Sequence, residues 1–162
     1  MAHEYFAEII WSRSASDFPD GRYSRAHVWR FDGAEIPASA SPQVVRLPFS
    51  RADAVDPEEA LVAAVSSCHM LSFLYLAAKA GFVVQSYVDN AVGVMGKNAR
   101  GREAITDVTL RPAIVFAGRE PDADQLHALH ERAHDDCYIA NSVTARIRVD
   151  APEQAHAKET SH

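Results

Sequence analysis

The stretch from Asp56 to Gly81 constrains this chain more than any other. Asp56-Pro57-Glu58-Glu59 reads as a helix start: aspartate suits the N-cap, proline the first turn, and the two glutamates the positive end of the helix dipole. From Ala60 onward the residues are apolar nearly all round, and the helix is expected to run to about Lys79 and stop at Gly81. A helix of that kind implies burial on most sides. The stretch is also long enough to span a bilayer. However, Ser66, Ser67, Cys68 and His69 cluster at its middle, Lys79 lies inside its far end, and Asp56, Glu58 and Glu59 stand where basic anchors are expected. A helix in a protein core is the better reading, and no membrane partner is expected.

The flanking segments read mostly as strands. Glu4 to Trp11 and Tyr23 to Phe31 alternate, Asp32-Gly33 is a turn, and Glu35-Ile36 extends a meander. Ser14 to Gly21 is turn-like, and Pro37 to Val55 an irregular connection. After the helix, Phe82 to Val94 reads as a strand, Asn98 to Arg102 as a turn, and Ala104 to Val115 as the antiparallel partner. Pro112 marks an edge or a bulge. A second helix is expected from about Pro121–Asp124 to Asp136, and a last strand over Ser142 to Val149. Strands, long helix, hairpin, helix, strand is an α+β order, not alternating βαβ. One domain over residues 1–150 and a polar, frayed tail over 151–162 are expected.

Composition narrows the function. Sixteen basic against twenty-two acidic residues leave a net charge of −6, without the basic excess of a nucleic-acid binder. Two cysteines fit a reducing compartment, and MAHEYFAEIIW lacks the basic start and cleavage site of a signal peptide. A cytoplasmic protein is expected.

Those two cysteines are the candidate chemistry. A lone buried cysteine is commonly inert core. Cys68 sits among Ser66, Ser67 and His69, an unusual polar cluster for a helix centre, whose side chains are able to hydrogen-bond a thiolate or line a small pocket. Cys137 ends the second helix. On that helix His127, His130 and His134 share one face; with Cys137 they form a conceivable zinc face, but a solvated helix face is the better reading. Cys-His hydrolysis is disfavoured because His69 points about 100° away from Cys68, and no oxyanion loop accompanies His134 and Cys137.

The segment Asp56-Pro57-Glu58-Glu59-Ala60-Leu61-Val62-Ala63-Ala64-Val65-Ser66-Ser67-Cys68-His69-Met70-Leu71 resembles the central helix of the OsmC/Ohr family, the osmotically inducible protein C and organic hydroperoxide resistance proteins. His134-Asp135-Asp136-Cys137-Tyr138-Ile139-Ala140-Asn141-Ser142 resembles its resolving-cysteine segment, and Tyr23-Ser24-Arg25-Ala26-His27 its arginine-bearing strand. Cys68-His69-Met70 is nearer to the OsmC-like branch. The resemblance implies antiparallel sheets wrapped around long central helices in an intertwined homodimer. It implies reduction of organic hydroperoxides, or also hydrogen peroxide, through a Cys68 sulfenic acid and a Cys68–Cys137 disulfide, without a metal or other cofactor, and with a dihydrolipoamide-type dithiol as reductant. The active-site carboxylate maps onto Glu58 and the arginine onto Arg25, with Arg22 as the alternative. His69, Met70, Phe73, Tyr138 and Ile139 are the candidate substrate-pocket residues. A non-catalytic ligand-binding or stress protein of the same fold, or a His/Cys metal-binding protein, is the alternative function.

Peroxide is attacked by thiolate, whereas a free cysteine has a pKa of about 8.5. A guanidinium at Arg25 suits the stabilisation of that thiolate, and a buried guanidinium in turn needs a carboxylate. Glu58 lies ten residues before Cys68, which is about 15 Å along a helix. A carboxylate serving Cys68 is therefore expected to come from a partner chain.

Overall fold

A computed structural model describes residues 2–13 and 18–151. The chain divides into two compact units, one ending at Leu61 and one beginning at Val62.

The first unit holds a three-stranded antiparallel meander: β1 (Glu8–Ile10), β2 (His27–Arg30) and β3 (Glu35–Ala38). β1 and β2 fall where the alternation places them but are shorter, with β1 limited to three residues, whereas β3 runs two residues beyond the expected Glu35-Ile36. Between β1 and β2, Gly21 adopts φ +71°, a conformation that suits glycine, and its N–H reaches Phe18 O at 3.0 Å. The rest of the expected Ser14–Gly21 turn begins outside the described residues. After β3 the connection is irregular, as expected, and is tied down by serines: Ser39 Oγ accepts from Arg51 N–H at 3.0 Å and Ser50 Oγ donates to Val45 O at 2.6 Å.

Helix α1 (Pro57–Lys79) starts and stops where the sequence predicts. Asp56 Oδ1 accepts from Glu59 N–H at 2.8 Å, and Glu59 Oε2 accepts from Asp56 N–H at 3.3 Å, a reciprocal cap. Gly81 at φ +79° ends it. Burial departs from expectation: within the single chain α1 buries only Val65, His69, Phe73 and Ala77, one residue per turn, while Leu71 and Tyr75 are each 61% exposed. Its length and hydropathy match a membrane span, but the buried stripe carries an imidazole and packs among core side chains.

In the second unit the long strands expected around the Asn98–Arg102 turn are each broken once. Phe82–Val94 divides into β4 (Val83–Asp89) and β5 (Val92–Lys97), and the partner run into β6 (Glu103–Leu110) and β7 (Pro112–Ala117). β5 and β6 form the hairpin at the predicted turn, whereas β4 pairs with β7 in a separate two-stranded sheet. The breaks face each other, and Asp89 Oδ1 accepts the Arg111 N–H at 2.6 Å, replacing a ladder bond. Pro112 opens β7, a strand position that needs no donor.

Helix α2 (Ala123–Asp135) carries a capping box between Asp122 and Gln125. A 3-10 turn (Ala140–Ser142) leads into β8 (Arg146–Val149), which begins later than predicted and joins β6 in parallel, so that sheet is mixed rather than antiparallel. Residues 152–162, expected to be a frayed tail, lie outside the described residues. Two apolar clusters hold the unit. Phe73, Ala77, Phe82, Phe116 and Ala133 join α1, α2 and the β4–β7 sheet; Val65, Val108 and Leu110 join α1 to the β5–β6–β8 sheet.

Candidate active site

The two cysteines are neighbours. Cys137 is fully buried just past the end of α2, with the Cys68 thiol on α1 close enough to act on it. Both are free thiols, and Cys68 is the one with partial solvent access. Their environments differ. Burial, and then the proximity of Cys68, push the Cys137 thiol up to about 11. The Ala140 N–H donates to Cys137 Sγ at 3.3 Å and acts in the opposite direction. Cys137 is thus a protonated thiol at neutral pH, held behind a more accessible partner. A solute arriving from solvent meets Cys68 first.

Two members of the polar cluster around Cys68, Ser66 and His69, are bonded to other partners. Ser66 Oγ donates to Asp89 Oδ2 at 2.5 Å, binding α1 to the end of β4. His69 is 1% exposed, and its Nε2 faces His130 Nδ1 at 3.0 Å. Burial lowers both imidazoles to about 4. The field of His134 adds to this at His69, against an opposing contribution from Asp89, and the fields of His69 and His127 add to it at His130. The pair is neutral at pH 7. This corrects the reading of His127, His130 and His134 as one solvated face. His127 is exposed and pairs with Glu131 at 3.2 Å, His134 is half-buried, and His130 is 4% exposed. Among the described residues no group of three potential ligands has metal-binding geometry.

Of the proposed pocket residues, Phe73 is wholly buried in the α1–α2 core and His69 faces inward with it. Met70 and Ile139 are half-buried, and Tyr138 is 81% exposed.

In the first unit Arg25 is held by its own loop. Nη1 donates to Gly21 O at 2.7 Å and to Tyr23 O at 2.6 Å, and the guanidinium lies 3.8 Å over the Tyr23 ring. It makes no ion pair with Glu58, whose Oε2 is buried without a hydrogen-bond partner among the described residues. Arg22 is an exposed residue paired with Asp20. Trp11, Phe18, Tyr23, Arg25, His27 and Pro57 help line a largely apolar concavity of about 380 Å³. The sequence reading missed two partners: Asp89 for Ser66, and His130 for His69. His130, Ala133 and Cys137 are all buried at three- and four-residue spacings, and that inward stripe was the available signal.

Comparison with known proteins agrees with this architecture. No curated protein matches the sequence. An OsmC-like protein of unknown function from Vibrio cholerae superposes with a TM-score of 0.90 at 50% identity, over 93% of this chain and 99% of that one. An organic hydroperoxide resistance protein from Elizabethkingia anophelis gives 0.64 at 18% identity, over 93% and 96%. The organic hydroperoxide resistance protein OhrB of Bacillus subtilis gives 0.61 at 13%, over 91% and 98%. At those identities the last two speak for the fold alone. The sequence model described as OsmC-like protein matches residues 50–151, a span that includes both cysteines, and this chain belongs to the OsmC-like family.

Proposed function

We propose that the protein is a thiol peroxidase that reduces organic hydroperoxides, and hydrogen peroxide with them, in the cytoplasm. The observation that carries this reading is the closeness of two thiols of unequal exposure. In the first step the Cys68 thiolate attacks a peroxide oxygen; the O–O bond breaks, Cys68 becomes a sulfenic acid, and the alkoxide leaves as an alcohol after taking a proton. In the second step the Cys137 sulfur displaces hydroxide from Cys68–SOH, and that hydroxide leaves as water with the Cys137 proton. A dithiol of the dihydrolipoamide type returns both cysteines to thiols by two exchange reactions. The high pKa of Cys137 suits this order, since a protonated resolving thiol does not compete for peroxide.

Arg25 is the proposed cation for the thiolate and Glu58 its carboxylate partner. The apolar concavity beside Arg25 suits an alkyl or aryl tail. Ten residues of unbroken helix separate Glu58 from Cys68, and Leu71 and Tyr75 lie exposed on α1. Both facts support a homodimer in which each Glu58 serves the other chain's Cys68.

A peroxide pulse followed by intact-mass measurement tests the reading. The wild type should lose two hydrogens as the Cys68–Cys137 bridge forms, whereas Cys137→Ser should stop at the sulfenic acid or over-oxidise. Consumption of organic hydroperoxide by Cys68→Ser at the wild-type rate would sink the proposal.

A further inference from the structure

The two thiols lie at one end of a seam between α1 and α2, and a pair of imidazoles holds the middle. His69 follows Cys68 on α1. His130 precedes Cys137 by seven residues, two turns of helix, so His130, Ala133 and Cys137 lie on one buried face of α2 and its end. The His69 and His130 ring planes lie within 8° of each other, with centroids 5.4 Å apart and the facing nitrogens 3.0 Å apart. The rings therefore meet edge to edge in one plane, the geometry of an N–H···N bond along a lone pair. Phe73, one turn further along α1, covers the His130 ring at 4.5 Å.

This bond differs in kind from the contacts around it. Leu, Phe and Ala in the same seam attract without direction and tolerate a slip. The imidazole bond is directional, and a slip of α2 by one residue, about 1.5 Å, breaks it. The pair also carries a standing penalty. Each neutral ring has one N–H, the shared bond uses only one of the two, and both outer nitrogens, His69 Nδ1 and His130 Nε2, are buried without a partner among the described residues. Whichever tautomer holds, one buried N–H finds no acceptor among the described residues, which costs stability. A core shaped for stability alone is better served by apolar residues here. Register specificity is the property such a buried polar pair supplies.

We infer that the His69–His130 hydrogen bond is the positioning contact that sets the Cys137 thiol in register with Cys68 for disulfide formation. Its role in turnover rests on the peroxidase reading and concerns the second step only. There the S–S bond forms, the S–O bond of Cys68–SOH breaks, Cys137 is oxidised, the Cys68 sulfur is reduced, and water leaves.

The test is a matched set at His130. Asparagine places an amide where Nδ1 stands, glutamine places the same amide where Nε2 stands, and phenylalanine keeps only the ring. Rapid mixing with cumene hydroperoxide, with dimedone trapping for the first step and mass analysis for the second, separates the two rates. His130→Gln and His130→Phe should slow disulfide formation by about tenfold or more, with sulfenic acid formation within about twofold of wild type. His130→Asn should recover the second step to within about threefold. Equal disulfide rates in all three variants and the wild type would overturn the inference, as would a parallel fall in the first step. Loss of the folded state in all three would also overturn it, by making the pair a stability element. Titration with glutathione disulfide, which drives the same bridge without peroxide, keeps the two proposals apart. If wild type forms no sulfenic acid but the Gln and Phe variants still form the bridge less readily, the peroxidase reading fails and the positioning role stands.

Discussion

At the scale of single residues, the tightest constraint outside the cysteines is a glycine. A Cβ on Gly93 in β5 would stand 2.5 Å from Val62 Cγ2 on α1 and 3.5 Å from Ile105 Cγ2 on β6. Val62 and Ile105 both border the Val65–Val108–Leu110 cluster, so neither has open space to move into. Gly93→Ala should cost about 1–3 kcal/mol, the range for overpacking a filled core, read as a lower urea midpoint at unchanged slope. Gly33→Ala, where nothing lies within 4 Å, is the control and should stay within about 0.5 kcal/mol of wild type. Val62→Ala in the Gly93→Ala background should restore part of the loss, which would identify the Val62 methyl as its source. Nothing in the local sequence announces this constraint: Val92-Gly93-Val94 reads as ordinary strand, and the contact comes from a helix thirty-one residues away.

At the scale of elements, two joints decide how α1 sits in its unit. The first is Asp89, which accepts from Arg111 N–H with one oxygen and from Ser66 Oγ with the other. Asp89→Ala should destabilise by about 1–3 kcal/mol through those two losses, and Asp89→Asn, which keeps an acceptor for the Arg111 N–H, by less; urea melts of the two variants make the comparison. The second joint is the imidazole pair. Each folded-state pKa, about 4, lies below the ordinary 6.5 because burial penalises the charged ring. The folded form thus binds fewer protons than the unfolded chain between those values. The stability contribution is fully present above pH 6.5 and is lost as pH falls toward 4, by at most about 3 kcal/mol for the first ring to be protonated. Urea midpoints measured downward from neutral pH should fall across that window, and His130→Phe should flatten the fall. The cap and stop of α1 were legible because each is written locally, in Asp56-Pro57-Glu58-Glu59 and in Gly81. The breaks at Asn90 and Arg111 were not, because a tertiary hydrogen bond from Asp89 makes them. Nor was the inward turn of His130: three histidines on one face look hydrophilic until α1 supplies a fourth as partner.

At the scale of the whole molecule, the proposed dimer turns on which chain's carboxylate serves which thiol. Sequence resemblance pointed to the cysteine pair, and the folded chain brings those thiols together within one unit. It does not bring Arg25 to Glu58, and it leaves Leu71 and Tyr75 bare along α1. Helix length alone keeps Glu58 and Cys68 of one chain about 15 Å apart, so a dimer with shared sites makes a prediction that a self-sufficient chain does not. Cys68→Ser and Glu58→Gln should each be nearly inactive as homodimers. Mixed and allowed to exchange subunits, they should regain activity. In the heterodimer, the intact Cys68 of one chain meets the intact Glu58 of the other, while the second site carries both lesions. With random pairing, half the dimers are mixed and each has one working site, so about a quarter of wild-type hydroperoxide turnover should return. If Glu58 served its own chain, each mixed dimer would hold one site without the sulfur and one without the carboxylate, and nothing would return. Co-purification through two different affinity tags, one on each variant, verifies that exchange has occurred. A purified mixed dimer as inactive as its parents would overturn the shared-site arrangement while leaving the Cys68–Cys137 chemistry untouched.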